Sequence, residues 1–169
     1  GYALSTLAPE LTVTLADYAD PRDAADLVML LDAYARDPMG GGEALGWETR
    51  EAIVPGLAAT AGAFSLIARL DGKPVGLANC FTGFSTFAAQ PLINVHDLAV
   101  LPGYLRRGVG GALLRAVEAE AVRRGASKVT LEVLSGNERA KSLYLALGYG
   151  DYQLDPEAGH ALFWQKRLA

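Results

Sequence analysis

The segment Asp97-Leu98-Ala99-Val100-Leu101-Pro102-Gly103-Tyr104-Leu105-Arg106-Arg107-Gly108-Val109-Gly110-Gly111-Ala112-Leu113-Leu114 decides the reading of this chain. An apolar strand runs into a glycine-rich turn, and the turn opens an amphipathic helix. The first N–H groups of a helix have no intrahelical partner and the macrodipole is positive there, so glycines let an anion approach bare amides. Arg106 and Arg107 stand beside them. The segment reads as a phosphate site, although glycines between a strand and a helix also serve plain tight packing.

A chain of 169 residues, 51% hydrophobic and 20% charged, fits one globular domain over residues 1–169 with a continuous core. A formal net charge of −4 argues against a nucleic-acid surface, so any anionic ligand must be held by local groups. No apolar stretch approaches the length of a membrane span, and residues 1–20 lack the basic-then-apolar pattern of a secretory signal. A soluble, cytoplasmic protein without a membrane partner is the expectation. Cys80 is the single cysteine, which excludes an internal disulfide and leaves no cysteine cluster for zinc; no metal is expected. It sits in an apolar run and reads as core.

Residues 11–15 alternate as a short strand, and Asp20-Pro21 opens a helix to about residue 35 with a stripe of Leu27, Leu30, Leu31 and Tyr34. Residues 37–43 form a turn before a second helix over about 43–61, interrupted or bent near Pro55-Gly56. Strands at 64–70 and 75–84 flank Asp71-Gly72-Lys73-Pro74, a hairpin signal, and a further strand covers 92–100. A helix over 108–124 carries Ala112, Leu113, Val117 and Ala121 at helical spacing and ends at Gly125. Residues 128–133 alternate as a strand. Asn137 then caps a helix bearing Ala140, Leu143, Tyr144 and Leu147, closed by Gly148. Two last strands are expected at 149–154 and 161–167. The order βααβββαβαββ predicts an α/β protein with one mixed sheet and helices on both faces.

This order, the strand ending Asp97-Leu98-Ala99-Val100, the turn Arg106-Arg107-Gly108-Val109-Gly110-Gly111, and the later Asn137-x-x-Ala140-x-x-x-Tyr144-x-x-x-Gly148-Tyr149 resemble the GNAT N-acetyltransferase superfamily over nearly the whole chain. The resemblance implies a splayed pair of parallel strands. It implies that the pantetheine arm of acetyl-CoA pairs with the backbone of Leu98, Ala99 and Val100. It places the pyrophosphate on the turn of Arg106, Arg107, Gly108, Val109, Gly110 and Gly111, with Ala112 in the first helical turn. Asn137 and Ala140 would contact the pantetheine region, and Arg139 or Lys141 a CoA phosphate. Leu105 departs from the family's usual Gln or Arg; since amides do most of the phosphate work, at most a modest loss is expected. The stretch Val75-Gly76-Leu77-Ala78-Asn79-Cys80-Phe81-Thr82-Gly83-Phe84-Ser85-Thr86-Phe87 looks like the diamine acetyltransferase branch, which implies a small amine acceptor.

Acetyl transfer needs a neutral amine, yet an alkyl ammonium of pKa ~10.4 is neutral in roughly one molecule in 2,500 at pH 7, a deficit of about 4.6 kcal/mol. Strict strand alternation places Asn94, His96 and Leu98 on one face and Val95, Asp97 and Ala99 on the other. His96 matches a position that often carries a Glu or His facing the acceptor, so it is the candidate base, against a histidine packed on a sheet face. Asp97 reads as a structural hydrogen-bond acceptor. Tyr144 matches the tyrosine that protonates the leaving thiolate, although its helical stripe also suits an ordinary core tyrosine. A backbone amide near Val100 is the expected oxyanion donor.

The expected reaction is direct attack by a primary amine of a small molecule on acetyl-CoA in a ternary complex. Met39, Glu43, Trp47, Phe81, Phe84, Phe87, His160 and Trp164 fall in regions that build the acceptor side, and the family's habits suggest a homodimer. A non-catalytic acetyl-CoA sensor and an acetyltransferase of protein or peptide amines are the alternatives. A dinucleotide oxidoreductase is disfavoured, because the glycine turn comes late and lacks the third spaced glycine.

Overall fold

The computed structural model describes residues 10–151 and 156–169. These fall into two compact units that meet in sequence between Leu134 and Ser135.

The first unit holds a five-stranded sheet in the order β1-β2-β3-β4-β5. The strands are β1 Leu11–Leu15, β2 Phe64–Leu70, β3 Lys73–Ser85, β4 Gln90–Val100 and β5 Val129–Leu131. Its first four strands pair antiparallel, and β4 pairs with β5 in parallel. The β2–β3 connection is the anticipated tight turn: Leu70 faces Lys73, and Asp71 and Gly72 both take positive φ, 50° and 81°. Positive φ at both central residues matches the right-handed strand twist, which is why Asp-Gly is favoured there.

Helix α1, Pro21–Arg36, starts where the Asp20 side chain accepts the Arg22 N–H at 2.8 Å and Pro21 takes the first turn. Its Leu27 and Leu30 pack with Val54 of α2, Trp47–Ala59, onto Ile67 and Leu77 of the sheet. Helix α2 starts later than its sequence suggests, because α1 takes the amides ahead of it. Glu43 N–H donates to the Ala35 carbonyl at 3.1 Å, and Leu45 N–H to Asp32 Oδ1 at 2.8 Å. Pro55 lies inside α2 without ending it.

Helix α3, Val109–Arg123, covers the other face of the sheet, burying Val109, Leu113, Leu114 and Val117. It comes so close to β3 that a Cβ on Gly76 would lie 2.7 Å from Val109 Cγ1 and 3.0 Å from Leu113 Cδ1. Gly125 N–H to Val122 O and Ala126 N–H to Ala121 O close the helix in the pattern of a Schellman stop.

The second unit is built on α4, Glu138–Ala146. Asn137 Oδ1 accepts the Ala140 N–H at 3.2 Å, and Gly148 N–H to Leu145 O with Tyr149 N–H to Tyr144 O end the helix in the same way as α3. The strand expected over 149–154 lies partly outside the described residues. The strand expected over 161–167 is not formed. Residues 159–169 take no regular structure, and Leu162, Phe163, Trp164 and Leu168 are exposed. Alternation gives a segment only the capacity for a strand; the ladder partner must come from elsewhere, and among the described residues none pairs with it.

Candidate functional site

Strand β4 runs from Gln90 to Val100, but its parallel ladder with β5 covers only Ile93, Asn94 and Val95 against Val129, Thr130 and Leu131. Beyond that ladder Leu98, Ala99 and Val100 stay paired with β3 on one side, and among the described residues no strand pairs with their opposite edge, which is open. Those are the residues that the sequence marked for an extended ligand. The edge offers unpaired N–H and C=O groups to a ligand chain.

The chain leaves β4 through a short 3-10 turn, Pro102–Tyr104, and reaches α3 with Arg106 at φ 64° and Gly108 at φ 79°. The first helical bond is Ala112 N–H to Gly108 O at 3.0 Å, and no side chain caps the helix. The amides of Val109, Gly110 and Gly111 therefore precede the helical ladder. Arg106 and Arg107 are exposed, with the Arg107 guanidinium 5.4 Å from the Tyr104 ring centre.

A third cation was missed. Arg115 folds back along α3, so that a Cβ on Gly111 would lie 3.2 Å from Arg115 Nη1. Helical side chains lean toward the N-terminus and positions four apart share a face, so the spacing from Gly111 to Arg115 was the available signal. Bare amides, a left-handed glycine and three guanidinium groups suit a diphosphate.

The face of β4 differs from strict alternation. Cys80 pairs with Val95 and Asn79 with Asp97, which leaves His96 as the extra residue of a β-bulge. Past the bulge the parity reverses: Asp97 shares a face with Asn94 and Ala99, while Leu98 falls in with Val95. The expected grouping of Asn94, His96 and Leu98 against Val95, Asp97 and Ala99 is therefore corrected. His96 is exposed and meets Phe81 ring to ring at 5.4 Å in a T-shaped contact. Phe81 pairs with Asn94, so His96 and Asp97 both belong to the face covered by α1.

That face also carries a small cleft lined by Tyr34 and Asp37 and by Ala99 through Pro102. Burial raises the Tyr34 phenol above its ordinary value, and the charges of Asp97 and Asp37 push it the same way. Burial pushes the Cys80 thiol up to about 12, Asp97 adding to it, so Cys80 is inert core at neutral pH.

In the second unit, Asn137 and Ala140 stand together in the first turn of α4, and the half-buried Tyr144 follows one turn later with its ring 6.2 Å from that of Tyr149. Lys141 Nζ donates to Ser135 O at 3.1 Å and pairs with Glu138 at 3.3 Å, whereas Arg139 is exposed. Among the described residues no helix is long and apolar enough to cross a membrane, and no three His, Cys, Asp or Glu side chains are grouped to hold a metal.

A mixed sheet with helices on both faces, opened beside β4 and leading into an uncapped glycine helix start, is the architecture that the N-acetyltransferase resemblance implies. The sequence profile of the acetyltransferase (GNAT) family matches residues 27–149, and the chain belongs to that family. It is 34% identical over 84 residues to an uncharacterized N-acetyltransferase, YhfO, of Bacillus subtilis, covering 50% of this chain and 56% of that protein. It is 35% identical over 77 residues to a thialysine N-epsilon-acetyltransferase of Bos taurus, covering 46% and 45%. The chain thus spans about half the length of these curated relatives. Among solved structures, an aminoglycoside N-acetyltransferase, AAC(6')-Iy, in complex with CoA matches 96% of this chain and 99% of its own with a TM-score of 0.73. At 18% identity that likeness is one of fold.

Proposed function

We propose that this chain is an N-acetyltransferase that moves an acetyl group from acetyl-CoA to a primary amine of a small molecule, by direct attack within a ternary complex. The observation that carries the reading is the open edge of β4 leading directly into the uncapped start of α3. Bound acetyl-CoA supplies the acyl group in activated form as a thioester. The backbone of Leu98, Ala99 and Val100 holds the pantetheine arm, and a main-chain amide near Val100 faces the thioester oxygen. The turn from Arg106 to Ala112 holds the diphosphate, with Arg115 as an added cation.

His96 takes the proton that the acceptor nitrogen must lose, and the Tyr144 hydroxyl gives a proton to the departing sulfur. By the family resemblance Asn137 and Ala140 contribute to the pantetheine wall, and the family match extends to residue 149. The likeness to a thialysine N-epsilon-acetyltransferase supports a small amine acceptor.

The test is release of free CoA thiol with a panel of alkyl diamines, lysine analogues, aminoglycosides, aromatic amines and peptide N-termini. Saturable release with the small amines is the expected result. Tight acetyl-CoA binding without release under any acceptor would make the chain a sensor, and release with peptides alone would move the acceptor class.

A further inference from the structure

Three polar side chains are sunk under α1 in a row that ends on a carboxylate. Ser65 Oγ donates to Asn79 Oδ1 at 2.6 Å, and Asn79 Nδ2 donates to Asp97 Oδ2 at 3.1 Å. The Tyr18 hydroxyl lies 2.8 Å from Ser65 Oγ; since the one Ser65 proton is given to Asn79, Tyr18 is the donor of that pair. Ser65 is fully buried and Asn79 is 2% exposed. Reversing the Asn79 amide would set its oxygen against the Asp97 carboxylate, so the contact to Asp97 selects this orientation. Every hydrogen in the row points toward Asp97.

The row aims Asp97 without neutralising it. Asp23 and Asp26 are held by Arg69 at 2.7 and 2.8 Å, and Asp32 by Arg36 at 3.0 Å. Among the described residues no cation forms an ion pair with Asp97, which is half-buried beside the bulge at His96. Its charge reaches Tyr34, which lines the cleft on the same face. Burying polar groups is costly unless each is satisfied, and the structure satisfies three of them to hold one uncompensated carboxylate in place.

We propose that Asp97 is the group that recognises the acceptor in its protonated form, an alkyl ammonium, and that Asn79 is a positioning residue that aims it. This rests on the acetyltransferase reading above. The ammonium donates a hydrogen bond to an Asp97 oxygen, which brings the nitrogen beside His96; no covalent step is added. The acceptor class is accordingly a cationic alkyl amine rather than an amine that is neutral at working pH.

The experiment compares wild type, Asp97→Asn, Asn79→Ala and Ser65→Ala at pH 7.5, with the best alkyl amine and the best aromatic amine of the acceptor panel, and measures acetyl-CoA binding separately by calorimetry. The expected result is a wild-type preference for the alkyl amine. Asp97→Asn should raise KM for it about tenfold or more, as loss of a charge-assisted hydrogen bond entails, and spare both the aromatic amine and acetyl-CoA affinity. Asn79→Ala should raise the same KM by a smaller factor, and Ser65→Ala, which removes one oxygen, provides the comparison if Asn79→Ala does not fold. An unchanged alkyl-amine KM in Asp97→Asn overturns the proposal, and so does a wild type that prefers the aromatic amine. Absence of turnover with every acceptor overturns the acetyltransferase reading itself, and this inference with it.

Discussion

In the proposed reaction Tyr144 and His96 serve opposite ends of one proton balance, so their removal should leave different signatures. Tyr144→Phe keeps the ring, and with it the contact to Tyr149, but removes the hydroxyl. Maximal rate should fall by about a hundredfold or more, as loss of a general acid entails, while acetyl-CoA affinity measured by calorimetry stays nearly constant. Unchanged turnover would remove the tyrosine from the reaction. For His96→Ala, the expected outcome is loss of the lower-pH limb of the rate profile; a limb that persists assigns the base elsewhere. Both proposed roles come from the family resemblance, through the later motif and the strand. The face of Asp97 was not legible in the sequence, because a bulge is fixed by how β3 and β4 pair, and alternation within one strand carries no information about its partner's register.

At the level of elements, α3 does two jobs with one set of small residues. Its start must expose amides, and its body must press against β3. Gly108 serves the first: at φ 79° any other residue is strained, so Gly108→Ala should cost about 1–2 kcal/mol and weaken acetyl-CoA binding, seen together as a lower urea midpoint and a higher Kd. Gly76 serves the second. A methyl there meets Val109 and Leu113, so Gly76→Ala should cost about 1–3 kcal/mol through overpacking, read as a lowered Tm. Arg115→Ala should instead leave Tm unchanged and weaken acetyl-CoA binding most at low salt; an affinity equal to wild type at low salt would remove it from the proposed diphosphate site. The glycine turn, the hairpin at Asp71-Gly72 and the caps at Asp20 and Asn137 were readable because each is set by chemistry within a few residues. The late start of α2 and the missing strand over 161–167 depended on partners distant in sequence.

Across the molecule, the groups with displaced titrations define where stability depends on pH, and they do so from two sides. The Asp23 carboxyl is lowered chiefly by the Asp17 N–H and then by Arg69, against some burial. For Glu120, burial alone would raise it, but hydrogen bonds from Arg123 and Arg124 outweigh this and lower it. A carboxyl depressed in the folded chain adds stability above its unfolded value of ~4, and that gain is lost as pH falls through the lower folded value. Cys80 acts with the opposite sense. Its folded value, pushed up from an ordinary 9.0 to about 12, means that the thiol's stabilising effect is complete below pH 9.0 and disappears as pH rises toward 12. Tyr18 and Tyr34, both raised chiefly by burial, add to the alkaline loss above the ordinary phenol value of ~10. The urea midpoint should therefore be flat between about pH 5 and 8 and fall on both sides, steeply below about pH 4. Replacing Cys80 by Ala lowers the whole curve through the cavity it leaves, but it should flatten the decline that begins near pH 9, because the unfolded chain no longer gains a thiolate. An alkaline limb of equal slope in Cys80→Ala and wild type would place that loss in the tyrosines alone.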